Sequence, residues 1–208
     1  MMTFYMTPGS CSTGIHVLLE ELELVFSAHV LNLPAGEHRQ ADYLAINPKG
    51  TIPTLVLDDG RALTDFASIA WHLATSHPRA KLLPQDPVAQ AESIGLINHI
   101  VGEIHGQGFA RVFTTDRFAL RTEDHEAIIA QGRQRALEGL EIVAQRLQST
   151  PGPWFYDHFT VADCALFYVT FWARHLEMPM PQACREHLDA MLQRPTARQV
   201  LMEEGYRI

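Results

Sequence analysis

Along its first third the chain alternates short apolar runs with amphipathic stretches. Residues 3–6 read as a strand, 13–24 as a helix, 26–32 as a strand, about 39–44 as a short helix, 54–57 as a strand and 65–76 as a helix. Between the runs LVL and RALT, Asp59-Gly60 predicts a two-residue hairpin turn, so the order is βαβ followed by ββα. The pattern breaks at HPRAKLLPQDP, residues 77–87, where three prolines in a polar context mark a linker. From Val88 onward only helical periodicity remains. Ile94, Ile97, Val101 and Ile104 form one apolar stripe, and Ile129, Ala136, Leu140, Val143 and Leu147 form another. The domains are therefore expected at 1–80 and 88–208, with 81–87 between them: an α/β domain followed by an all-helical one.

Helix ends are marked locally. Thr160 with Asp163 three residues on predicts a capping box, and Phe159 with Cys164 a hydrophobic staple, which makes Cys164 structural. Pro181 and Pro195 suit the first turns of two late helices, and Gly205 suits a helix stop.

Composition narrows the classes of function. A 208-residue chain with 47% hydrophobic residues is long enough to bury a full core. Its net charge of −8, with no run of Lys or Arg, argues against a nucleic-acid surface. No apolar run is long enough to cross a bilayer, and the N-terminus lacks the pattern of a signal peptide, so a cytoplasmic protein is expected. The three cysteines, Cys11, Cys164 and Cys184, are an odd number and predict no disulfide framework. Eleven histidines occur without HExxH or zinc-type Cys/His spacing, so no metal site is expected.

The candidate chemistry starts at NPKGTIPTLVL. Pro53 cannot donate to a sheet ladder, which leaves the backbone of Ile52 free to pair with an extended peptide, and the Ile52-Pro53 bond is a candidate cis peptide. Cys11 lies in TPGSCSTG, at the start of the first helix, where the free amides favour thiolate. Position 14 is glycine, so any redox cycle at Cys11 is monothiol. Asp65, at a helix start in LTDFASIAWHL, either caps the helix or meets a ligand amine, while the first amides suit a carboxylate. His105 closes the stripe of the first C-terminal helix just before Gly106 and Gly108; core packing and ligand binding both fit it. His16 reads as scaffold. Phe109, Phe113 and Trp172 suit either an apolar pocket or the core.

Taken together, TPGSCS, AINPKGTIPTL, LTDFASIAWHL, NHIVGEIHG and FTVADCALF resemble the cytosolic glutathione S-transferases, most closely their bacterial beta class, over nearly the whole chain. The resemblance implies a thioredoxin-like N-terminal domain on an all-helical C-terminal domain, a homodimer, and glutathione as co-substrate with a small hydrophobic electrophile. It implies that Cys11 contacts the glutathione sulfur and that Ile52, before Pro53, pairs with the cysteinyl backbone. Asn98 and His105 would then reach the thiol, with His105 favouring thiolate. Asp65 and Phe66 stand where the family usually has Glu or Gln followed by Ser or Gly. The expected activity is conjugation of glutathione to electrophiles. Monothiol disulfide exchange through Cys11 and a non-catalytic scaffold role are the alternatives.

Overall fold

The computed structural model describes residues 1–207 and divides into two compact units: Met1–Leu83 together with the segment from Leu192 onward, and Pro84–Met191. The C-terminal segment, read from sequence as part of the helical stretch, thus folds with the first unit.

In the first unit, strands β1 (Met2–Met6), β2 (Phe26–Val30), β3 (Thr54–Val56) and β4 (Ala62–Leu63) form one sheet in the order β2-β1-β3-β4. β1 pairs parallel with β2 across helix α1 (Ser12–Glu21), and antiparallel with β3, which pairs antiparallel with β4. The predicted βαβ-ββα order is present, completed by α2 (Ala41–Ile46) and α3 (Phe66–Ser76). One local expectation is corrected. Leu57 N–H donates to Arg61 O and Gly60 N–H to Leu57 O, so the hairpin loop has three residues, Asp58 to Gly60. Gly60, at φ 85°, takes the left-handed position that ends such a loop. The core under the sheet is Phe4, Ile15, Leu18, Leu19, Leu55, Ile69 and Leu73, all buried.

The second unit contains helices α4 (Pro87–His99), α5 (Ala110–Phe113), α6 (His125–Gln148), α7 (Val161–His175) and most of α8 (Gln182–Gln193). Asp86 caps α4, its carboxylate accepting from Ala89 N–H at 2.8 Å with Pro87 at the first helical position. Between α4 and α5 the chain winds as a π-helix over Ile100–Phe109. That segment lies against α6 with little room to spare: a Cβ at Gly108 would meet the Ala136 backbone at 2.9 Å, and one at Gly139 would meet Ile104 at 2.5 Å. α7 starts on the predicted capping box, with Thr160 N–H donating to Asp163 Oδ2 at 2.7 Å. The other oxygen of Asp163 accepts from Phe155 N–H at 3.2 Å and lies 3.3 Å from His187 Nε2, with both side chains fully buried.

The last helix, α9 (Pro195–Glu203), packs on α1 within the first unit. Arg194 donates twice to Glu21 at its base. Gly205 (φ 91°) stops it as predicted: Gly205 N–H donates to Met202 O and Tyr206 N–H to Leu201 O, the two bonds of a Schellman cap.

Candidate active site

The loop before β3 is built by a residue that reads in sequence as ordinary turn chemistry. Asn47 is buried, and its side-chain amide donates to Thr51 O at 2.8 Å and Thr54 Oγ1 at 3.0 Å. Its carbonyl oxygen accepts from Lys49 N–H at 3.1 Å. Tyr43 Oη also donates to Thr51 O. These bonds fix the backbone entering Ile52, whose peptide to the buried Pro53 is cis and which lies outside the strand pairing of β3. An Asn at the head of a loop that must hold its own carbonyls is the signal that would have found it.

Cys11 occupies the N-cap of α1 and is 8% exposed. Its Sγ donates to Ile52 O at 3.5 Å. The expected thiolate is not what this environment produces. Burial pushes the thiol up to about 12, Asp65 adds to the rise, and the amides of Cys11 and Ser12 only partly oppose it. Helix-end amides act on a charge that desolvation has already made costly, and desolvation wins. Cys11 is a neutral thiol at physiological pH.

Asp65 does not cap α3, although it stands at the N-cap. Its carboxylate accepts from Lys49 Nζ at 2.6 Å and from Thr51 Oγ1 at 2.9 Å. Both partners of this ion pair are about half exposed, so it is worth under about 1 kcal/mol to the fold. Its value is that it holds a carboxylate at the rim in one place. Phe66, the first residue of α3, is 1% exposed; its ring belongs to the core and the position offers a ligand only its backbone. Cys11, Ile52 and Asp65 therefore converge at one corner of the first unit, with Lys49 and Thr51 added to the predicted set.

In the second unit the predicted aromatics form a single cluster around His105. Phe109 stacks on Phe113 with ring centroids 5.8 Å apart, and Trp172 meets Phe109, Phe113 and His105 edge-on at 5.4, 5.1 and 4.9 Å. Tyr168, missed in the sequence, joins it: its ring lies 4.9 Å from Trp172, and its Oη is 3.4 Å from His105 Nδ1. Spacing carried the signal, since His105, Phe109 and Phe113 follow one another at fours, as do Tyr168 and Trp172. Desolvation lowers the His105 pKa to about 4, so the imidazole is neutral above that pH. Phe109 and Trp172 are largely buried, whereas Phe113 is 50% exposed and gives the cluster an open apolar edge. Asn98 is exposed on α4.

Comparison with known proteins covers both units. The N-terminal domain of glutathione S-transferases matches residues 9–76, and their C-terminal domain matches residues 126–195. The chain is 31% identical over 213 aligned residues to the glutathione S-transferase GstA of Escherichia coli O157:H7, covering 99% of this chain and all of that one. Among solved structures, a glutathione transferase homologue from Sulfitobacter with bound glutathione superposes with a TM-score of 0.86 at 27% identity, covering 98% of each chain. A beta-class glutathione S-transferase from Sphingomonas chungbukensis shares the fold, with a TM-score of 0.80 at 24% identity over 98% of each chain.

Proposed function

The chain belongs to the glutathione S-transferase family, and from that premise we propose that it conjugates reduced glutathione to small apolar electrophiles. The observation that carries this reading is the first-unit corner. A backbone edge at Ile52 that lies outside the strand pairing, ahead of a buried proline, and the carboxylate of Asp65 suit an extended peptide that bears an amine. The α3 amides at Phe66 suit its carboxylate.

In this reading Ile52 pairs with the cysteinyl unit of glutathione and Asp65 takes the γ-glutamyl amine, with Lys49 and Thr51 holding its oxygens in place. The glutathione thiol loses its proton to solvent. Its thiolate attacks the electrophilic carbon, a C–S bond forms, and the leaving group departs with the electrons of the bond it breaks. Holding that thiolate calls for a neutral hydrogen-bond donor beside the sulfur. Cys11 is protonated, and its S–H, which rests on Ile52 O at 3.5 Å, can turn to that sulfur when the cysteinyl backbone pairs with Ile52. In the second unit the His105 ring is neutral, its Nδ1 3.4 Å from Tyr168 Oη. The aromatic cluster of Phe109, Phe113 and Trp172, open at its Phe113 edge, suits the apolar co-substrate.

The monothiol alternative needs a nucleophilic Cys11, and a thiol with its pKa pushed up to about 12 argues against it. A homodimer in the cytoplasm, with a detoxifying role, is part of the same proposal. The test is calorimetric titration with reduced glutathione followed by turnover of a chloronitroaromatic electrophile. Saturable binding and thioether product support the reading. A folded protein that binds no glutathione contradicts it and favours the scaffold alternative.

A further inference from the structure

The C-terminal segment returns to the first unit and delivers a buried carboxylate beneath the Cys11 loop. Glu204, immediately after α9, has a side chain 1% exposed. Its Oε2 accepts from Gly9 N–H at 2.7 Å and from Thr13 Oγ1 at 2.7 Å, and its Oε1 lies 3.0 Å from His16 Nδ1. Gly9 stands two residues before Cys11 and Thr13 two residues after it. Two residues further on, Tyr206 lies over the loop: a Cβ at Gly9, which has φ 70°, would come within 1.8 Å of Tyr206 Oη. The turn is also shaped from within, by Ser10 N–H to Thr7 O at 3.1 Å and Ser12 Oγ to Thr7 O at 3.0 Å, and is tied elsewhere by Thr7 Oγ1 to Leu31 O at 2.7 Å and by Cys11 Sγ to Ile52 O at 3.5 Å, while Glu204 ties it to the C-terminal segment.

We propose that Glu204 is a positioning residue, a clamp through which the C-terminal segment fixes the Cys11 loop in the geometry that receives the glutathione sulfur. A carboxylate shared by a backbone amide and a hydroxyl on either side of Cys11 holds both flanks of the N-cap at once, and the bonds are charge-assisted in a site closed to water. Tyr206 leaves no room for a side chain at Gly9, so the turn keeps a glycine there. The inference rests on the glutathione reading for its functional half only, because the clamp itself is defined within the first unit.

The experiment is site-resolved alkylation of the three cysteines by iodoacetamide in the full chain, read by mass spectrometry, alongside steady-state conjugation. Cys164 and Cys184 are fully buried in the second unit and report general unfolding. In Glu204→Ala, Cys11 is expected to react about tenfold faster while Cys164 and Cys184 keep their rates. The KM for glutathione is expected to rise at least about fivefold with the KM for the electrophile unchanged. Glu204→Gln keeps an acceptor oxygen for Gly9 and Thr13 but no charge, and is expected to raise the Cys11 rate about threefold; it carries the test if the alanine variant does not fold. An unchanged Cys11 rate, or a parallel rise at all three cysteines, overturns the clamp. If the wild type turns over no glutathione, the functional reading fails separately, and the alkylation pattern still decides whether Glu204 holds the loop.

Discussion

The Cys11 corner of the first unit and the His105 cluster of the second meet the same physical force with opposite chemistry. Burial disfavours charge wherever it acts, so it raises the Cys11 thiol to about 12 and lowers His105 to about 4. The two shifts have opposite signs and one result: each group is neutral at physiological pH. Under the proposed function each region contributes neutral groups rather than charges, and the one ionised sulfur in the reaction is the ligand's. The corner is also polar and pinned by hydrogen bonds from Asn47, Lys49 and Thr51, whereas the cluster is held by ring contacts around a histidine.

If the cluster is a packing unit as well as a pocket, its removal should cost more than any change at the polar corner. Trp172→Ala deletes the ring that touches His105, Phe109, Phe113 and Tyr168, and should lower stability by about 3–5 kcal/mol in denaturant titration. Cys11 alkylation under native conditions should not change. Next in size, Asp65→Asn should weaken glutathione binding by roughly 1.5–3 kcal/mol in calorimetry, the loss of one charge-assisted bond. The fold should lose under about 1 kcal/mol, because the Lys49 pair is solvent-screened.

The pH response separates the regions further. A histidine whose folded pKa lies near 4, below its ordinary 6.5, binds fewer protons folded than unfolded, so stability should fall as pH drops through the window from 6.5 to 4. Thermal melts of His105→Gln against pH should show a shallower fall across that window than the wild type. A further stability effect concerns neither site. Glu177 ends α7 in the left-handed region at φ 51°, where its side chain is disfavoured, and Glu177→Gly should raise stability by about 1 kcal/mol in thermal melts.

Sequence carried the architecture because its signals are local. The 54–57 strand, the helix from 65 to 76, the Thr160-Asp163 box and the Gly205 stop each follow from a few neighbouring residues, and the structure places all of them. What escaped the sequence depends on burial and on distant partners. The helix dipole at Cys11 is visible in TPGSCSTG, but the desolvation that overrides it is not. Lys49 reads as a turn residue until Asp65, sixteen positions away, is brought beside it. Pro195 and Gly205 bound the last helix in the sequence, without saying that it packs on α1 and brings Glu204 under the first loop. The π-winding at 100–109 has no periodic signature of its own, although three glycines in that stretch weaken the α-helix.

Under the proposed function the ionised thiol belongs to glutathione and not to Cys11. Ultraviolet difference titration of thiolate, with and without glutathione, tests it most directly. The free protein should show no thiolate below pH 9, the ordinary cysteine value, and saturating glutathione should add one thiolate per chain with a midpoint below that pH. A thiolate band in the free protein near neutral pH, lost in Cys11→Ser, would overturn this assignment and make Cys11 the nucleophile.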